Sequence, residues 1–75
     1  MGKTLEINLI GMPWPVNLLR CSRQTEAMEP GDELAITLND KDVKDSLIQL
    51  LLAIPNLSFQ VADADCGYTI SVTKT

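Results

Sequence analysis

Four segments of this 75-residue chain alternate apolar and polar residues with a period of two. The first covers residues 4–9, where every second residue is apolar. The apolar faces of the four segments are Leu5, Ile7 and Leu9; Leu34, Ile36 and Leu38; Leu57, Phe59 and Val61; and Tyr68, Ile70 and Val72. Because polar residues fill the alternate positions, the pattern predicts four strands of a sheet that is covered on one face only.

Two further segments have helical periodicity and lie between the strands. The first helix is predicted over residues 13–28, ended by Pro30 and Gly31, with apolar and long-stemmed residues at helical spacing: Val16, Leu19, Arg20, Arg23 and Ala27. Asn39 or Asp40 caps the second helix, whose apolar stripe is Val43, Leu47, Leu50, Leu51 and Ile54, and Pro55 with Asn56 ends it.

The order of these elements is βαβαββ, and the short link from Asp63 to Gly67 favours a closing hairpin. Residues 1–75 are too few for more than one domain and bury only about 60% of the surface that the unfolded chain exposes. The predicted fold class is therefore α+β: a two-layer α/β sandwich in which a four-stranded mixed sheet carries both helices on one face.

Charge and composition exclude several classes of function. The net charge of −4 disfavours nucleic-acid binding, which depends on neutralising phosphates. The predicted polar sheet face also lacks the aromatic groups that stack on RNA; it comprises Thr4, Glu6, Asn8, Thr37, Ser58, Gln60, Thr69 and Ser71. The apolar run at residues 50–54 is too short to cross a bilayer, and no signal-peptide pattern is present, so we expect a cytoplasmic protein without membrane contact. Histidine is absent and the two cysteines are far apart, so we expect no metal and no cofactor.

The most informative stretch for function comprises Gly11, Met12, Pro13, Trp14 and Pro15, between the first strand and the first helix. Proline is suited to the first turn of a helix, which has no internal use for its amide donors. The remaining N–H groups are expected to point outward beside Met12. This arrangement predicts a site for an anion or a thiolate.

This stretch resembles the Cys-Pro-x-Pro signature of the TusA/SirA/YedF family of small sulfur-carrier proteins, with Met12 at the position of the cysteine. The resemblance extends to residues 30–34, similar to the family's helix exit and second-strand start, and to Asn39 and Asp40, where the family carries an acidic pair. The stretch from Met12 to Gly31 is about two residues longer than in the family, roughly half a helical turn. The resemblance implies a single TusA/SirA-like domain over residues 1–75 with a four-stranded mixed sheet, in a family whose activity is that of a sulfur carrier (sulfurtransferase).

Met12 changes what the resemblance implies for activity. A thioether neither ionises nor holds a persulfide, so Met12 is no nucleophile, and we expect no catalytic residue. In one interpretation, Met12 fills a gap beside Trp14 or covers the start of the helix. In the other, it occupies a degenerate carrier site that still docks a protein partner. The first expected function is thus non-catalytic partner binding through residues 11–15, by a monomer or weak oligomer, in or near sulfur-transfer or redox pathways. A structural or fusion module is a third, weaker interpretation.

The second expected function is that of a divergent sulfur carrier that uses Cys21 or Cys66. Cys21 is predicted to be a buried, inert thiol within the first helix. Cys66 is predicted at an exposed hairpin turn, where Asp63 and Asp65 oppose thiolate formation.

Two other features have alternative interpretations. Trp14 is either an exposed anchor for a partner or a lid over the edge of the core. Four carboxylates around the exit of the first helix are interpreted as a solvated turn: Glu26, Glu29, Asp32 and Glu33.

Overall fold

The computed structural model describes residues 2–64 and 66–75. The elements follow the order β1 (Thr4–Asn8), α1 (Val16–Ala27), β2 (Glu33–Leu38), α2 (Lys41–Ala53), β3 (Leu57–Ala64) and β4 (Gly67–Lys74). The four strands form one mixed sheet in the order β1-β2-β4-β3. The predicted fold class is confirmed: two helices cover one face of a four-stranded mixed sheet.

The sheet combines parallel and antiparallel pairs because two helical crossovers precede one hairpin. β1 pairs with β2 in parallel, whereas β4 is antiparallel to both β2 and β3. Ala64 pairs with Gly67 at the end of the hairpin, as the short link predicted. Asp65 lies outside the described residues.

The core lies between the apolar sheet face and the two helices. Its sheet side includes the predicted residues of the inner strands, of which Leu34, Ile36 and Ile70 are almost completely buried. α2 contributes Val43, Leu47 and Leu51, the main part of its predicted stripe. The opposite sheet face carries the predicted polar residues and is open or only half-buried. Neither helix in the described part of the chain is long and apolar enough to span a bilayer.

The first helix begins later than predicted. Residues 13–15 are not helical, and α1 starts at Val16 with Pro15 as its N-cap residue. The reason is the second proline: a residue that precedes proline is disfavoured in the α region, so Trp14 cannot continue a helix into Pro15. α2 follows the prediction more closely, because the Asp40 side chain accepts hydrogen bonds from the amides of Asp42 and Val43.

The buried face of α1 also differs from the predicted one. Val16 and Leu19 are exposed, whereas Asn17, Cys21 and Thr25 face the core. The buried positions are four residues apart and therefore form one stripe along the helix. Two of the three are polar, so apolar periodicity does not mark the buried face of this helix.

Asp32 corrects the prediction of a solvated carboxylate cluster. It is only 3% exposed and lies just before β2. Its two carboxylate oxygens accept hydrogen bonds from the backbone amides of Lys3 and Glu29, each at 2.9 Å. Its carbonyl oxygen accepts from the Lys74 amide at 3.1 Å. Asp32 therefore joins the start of β1, the exit of α1 and the end of β4.

These bonds make the stability of the fold depend on pH. The amide bonds from Glu29 and then Lys3 favour the charged carboxylate and lower the pKa of Asp32 below its usual value. A lowered pKa in the folded state stabilises the fold above the unfolded value of about 3.9. This stabilisation is lost as the pH falls through the folded pKa.

We therefore expect Asp32→Asn to lower the melting temperature at pH 7, because one of the two amides would face an NH2 donor. The difference from the wild type should begin to shrink as the pH falls below about 4, where the unfolded carboxylate takes up a proton, and should vanish as the pH falls through the lowered pKa of the folded carboxylate. Glu33→Gln, at the exposed neighbouring carboxylate, is the control and should change little. Thermal unfolding across this pH range checks the prediction, and a constant difference at all pH values would contradict it.

Candidate functional site

Residues 10–15 form a tight connection between β1 and α1. The amide of Ile10 donates to the Asn8 side chain at 2.9 Å, and the amide of Met12 donates to the Leu9 carbonyl at 3.0 Å. Gly11 has a φ of 83°, a left-handed conformation that favours glycine. The Trp14–Pro15 peptide bond is cis. The connection is thus held by local hydrogen bonds at its beginning and by two prolines at its end.

The predicted anion or thiolate site beside Met12 is not formed by α1, because the helix start lies four residues beyond Met12. The amides at this start also have partners within the chain. Asn17 and Leu19 donate to the carbonyl groups of Pro13 and Pro15, at 3.1 and 3.0 Å. Leu18 donates to the Asn17 side chain at 2.7 Å. These bonded amides are not available to an anion.

Met12 is half-buried and packs against the core. It lines a small cavity of about 170 Å³ together with Leu9 just after β1, Leu38 at the end of β2, and residues of α1 and the start of α2. Asp40 and Asn39 line the same cavity, so the structure brings the two residues of the acidic-pair position to Met12. Met12 thus packs against the core and borders this cavity, an irregular space to which a flexible thioether is suited.

Trp14 is exposed over 56% of its surface and does not form a lid over the core. It lines a groove of about 250 Å³ with residues at the start of α2: Asp40, Asp42, Val43 and Ser46. The indole therefore lies at the solvent boundary between the entries of the two helices.

A second groove, of about 440 Å³, lies on the outer side of α1. Its apolar residues are Val16 and Leu19, of which Leu19 is 57% exposed. Its polar residues are Arg20, Arg23 and Gln24. Two of the six basic residues of an otherwise acidic chain thus border this groove. We refer to Trp14, Val16, Leu19, Arg20 and Arg23 as the docking surface.

The sequence indicated Trp14 and the prolines but missed Val16 and Leu19 as surface residues. Both residues are apolar and lie at helical spacing, so the sequence pattern predicts them on the core side of the helix. Cys21 in α1 and Met28 just after it are seven residues apart, and both are buried. This spacing is the sequence feature that marks the side of the helix opposite Val16 and Leu19 as the buried one.

The two cysteines differ in the way that the sequence predicted, and both are free. Cys21 has no exposed surface, and burial raises the pKa of its thiol to about 11, with Arg20 partly offsetting the effect. Cys66 is exposed and lines an open pocket with Asn39, Asp63 and Tyr68. Among the described residues, no three Cys, Asp or Glu side chains are grouped as metal ligands.

Comparison with known proteins found no match to this chain among protein-family models, curated proteins or solved structures.

We expect Met12→Cys to create a thiol whose pKa is not lowered from the ordinary value of about 8.5. The amides of Asn17, Leu18 and Leu19 at the α1 start are occupied, and the carboxylate of Asp40 lines the same cavity as Met12 and opposes a thiolate. The rate of alkylation as a function of pH measures this pKa, with Cys66→Ala in the background to remove the exposed thiol. A pKa well below the ordinary value would contradict this description of the site.

Proposed function

We propose that the chain is a non-catalytic TusA/SirA-like domain that binds a protein partner through the docking surface, in or near a sulfur-transfer or redox pathway. The observation that carries the proposal is the concentration of exposed apolar side chains around the start of α1. Ile10, Trp14, Val16 and Leu19 are each about half exposed and lie within ten consecutive residues. Exposed apolar groups that cluster in this way are typical of interaction sites.

The chemistry of the segment supports binding rather than catalysis. Met12 provides no ionisable group, and its thioether packs against the core. Trp14 is held on a segment with two prolines, so little conformational freedom is lost when it is buried by a partner. Tryptophan and arginine are the residues that most often dominate the binding energy of an interface.

The side chains around the grooves also indicate the partner's chemistry. Arg20 and Arg23 border the apolar groove on α1 and favour acidic groups on the bound surface. Val16 and Leu19 favour apolar side chains beside those acidic groups. We therefore expect the partner to present an amphipathic segment with leucine-like and carboxylate side chains.

A labelled helical peptide with leucines on one face and glutamates on the other tests this proposal by fluorescence anisotropy. We expect Trp14→Ala and Leu19→Ala to weaken its binding, with a loss in unfolding free energy below about 1 kcal/mol because both side chains are exposed. A loss of about 3 kcal/mol or more on truncation of Trp14, as for an aromatic side chain of the core, would contradict its exposed position. Thermal melting measures this loss.

Two controls accompany this experiment. Leu52→Ala removes an apolar side chain that is 65% exposed on α2 and should leave peptide binding unchanged. A second peptide with lysines in place of the glutamates should bind more weakly, and the charge reversal Arg20→Glu with Arg23→Glu should reverse that preference. Equal binding of both peptides, or no effect of Trp14→Ala and Leu19→Ala, would contradict the proposal.

A divergent sulfur carrier is the second candidate, favoured only by the exposure of Cys66. In such a carrier, the Cys66 thiolate would attack the sulfane sulfur of a donor persulfide, and the donor thiolate would leave as the donor's S–S bond breaks. Cys21 is a poor candidate because its thiol is buried and its pKa is raised to about 11.

For the non-catalytic domain, we expect no stable sulfane sulfur after incubation with a persulfide donor. The measurement is the intact mass with and without reductant, on the wild type and on Cys66→Ala and Cys21→Ala. In the same folded protein, Cys66 should react with a thiol reagent much faster than Cys21. A stoichiometric gain of one sulfur that reductant removes and Cys66→Ala abolishes would establish the carrier function instead.

A further inference from the structure

The edge strand β3 lacks the features that usually prevent two sheets from joining. β3 is eight residues long and is the outer strand beyond β4. It contains no proline, lysine or arginine, and its one described charged residue is Asp63, near its end. Long edge strands without such residues are templates for pairing with another chain. The opposite edge, β1, has only five residues and carries Glu6 at its centre.

The hydrogen bonds at the end of the sheet show which backbone groups of β3 face outward. The Thr75 amide donates to the Asn56 carbonyl at 2.9 Å, so this carbonyl points toward β4. The amide of the next residue, Leu57, points the opposite way because the two groups share one planar peptide. Backbone groups alternate sides along a strand. Leu57, Phe59, Val61 and Asp63 therefore direct their N–H and C=O groups to the open edge.

We propose that a second copy of this chain pairs with β3, antiparallel and about a two-fold axis at Gln60. This register places Phe59 opposite the second copy's Val61, and Leu57 opposite its Asp63. Every outward N–H and C=O group of residues 57–63 then has a partner in both copies. A shift by two residues in either direction would leave outward groups without partners, so this register is the one that a symmetric pair favours.

The side chains on the helix-covered face support the same register. Val61 is 39% exposed although its pairing partner on β4, Ile70, is completely buried. Beside the second copy's Phe59, Val61 would lose this exposure in an aromatic and β-branched cross-strand pair. The predicted core face of β3 would thus be completed by a second copy.

The helix above the edge adds further apolar surface. The Lys44 ammonium lies 4.3 Å from the centre of the Tyr68 ring, next to β3. Ile48 and Leu52 follow Lys44 at intervals of four residues and lie on the same side of α2. Leu52 is 65% exposed, so an apolar strip continues from the β3 edge onto the helix.

Charges in this register are complementary. Leu57 pairs with Lys74 across β3 and β4, so these two side chains share one row and one face. The second copy's Asp63 would extend this row on the other side of Leu57. Each copy would thus place a carboxylate within reach of the other copy's long lysine side chain, and no like charges would face each other across the two-fold axis.

The interface of two single strands is small, so the dimer is expected to be a weak one. Interfaces below about 1,200 Å² belong to the transient class. Sedimentation velocity over a wide concentration range should therefore show a mass that rises from that of the 8.2 kDa chain toward twice that mass. A protein that remains monomeric up to about 1 mM would overturn the proposal.

Amide exchange distinguishes edge pairing from other kinds of association. With rising concentration, we expect slower exchange at the outward amides of Leu57, Phe59, Val61 and Asp63. The alternate amides of Ser58, Gln60 and Ala62 already bond to β4 and should change little. Association without this alternating pattern would overturn the proposal.

Two variants test the register. Gln60→Lys places two lysines opposite each other at the two-fold axis, and Val61→Lys places a charge in the apolar pair. Each should weaken dimerisation by about tenfold or more, since charged side chains protect edges from pairing. Gln60 is on the open face, so its substitution should leave the fold intact.

Thr4→Lys, on the exposed face of β1, introduces the same charge at the other edge and should leave the dimer unchanged. An equal loss with Thr4→Lys, or no loss with Gln60→Lys in a correctly folded protein, would overturn the register. None of Gln60, Val61 and Thr4 belongs to the docking surface, so neither result depends on the function proposed above.

Discussion

The whole sheet depends on β4, the last strand of the chain. β4 lies between β2 and β3 and pairs antiparallel with both. Without it, β1 and β2 would form a two-stranded parallel ladder, and β3 would have no strand partner. Two-stranded units of this kind are marginal in water. The domain is therefore a cooperative unit in which the C-terminal residues complete the core that both helices cover.

Asp32 connects this central strand to the rest of the molecule. Its carboxylate accepts hydrogen bonds from the amides of Lys3 and Glu29. Its carbonyl accepts from the amide of Lys74 and holds this end of β4 beside the start of β2. The sequence does not identify this role, because an aspartate beside a proline-glycine turn is typical of solvated loops. Its carboxylate is a buried acceptor because the start of β1, the exit of α1 and the end of β4 meet at this point. Their meeting depends on long-range strand pairing, which local sequence patterns do not encode.

The sequence predicted the sheet well and α1 poorly, for a physical reason. Strand residues such as Ile36 and Ile70 alternate with polar ones, and the alternation directly marks the buried face. In α1, by contrast, small or polar residues such as Asn17 and Thr25 face the core, while Leu19 faces solvent. This inversion moves apolar side chains from the core to the surface. A helix that exposes leucine and buries asparagine gains little stability from the exposed side, and these exposed side chains are the ones that the proposed partner binding would use.

Pro13 and Pro15 then determine where α1, and with it the exposed apolar face of this helix, begins. Pro15 prevents Trp14 from joining the helix, so α1 starts three residues later than predicted, and Trp14 lies between the starts of α1 and α2. The docking surface is consequently formed by Trp14 and α1, in the connection from β1 to β2, whereas β3 is at the other edge of the sheet from β1. A pair of chains joined at β3 would carry two docking surfaces, one on each outer side. A partner with two matching segments would bind such a pair with an affinity raised by effective concentration, without any additional contact. Weak self-association and weak partner binding would in this way reinforce each other, because the bivalent complex stabilises the dimer that creates it.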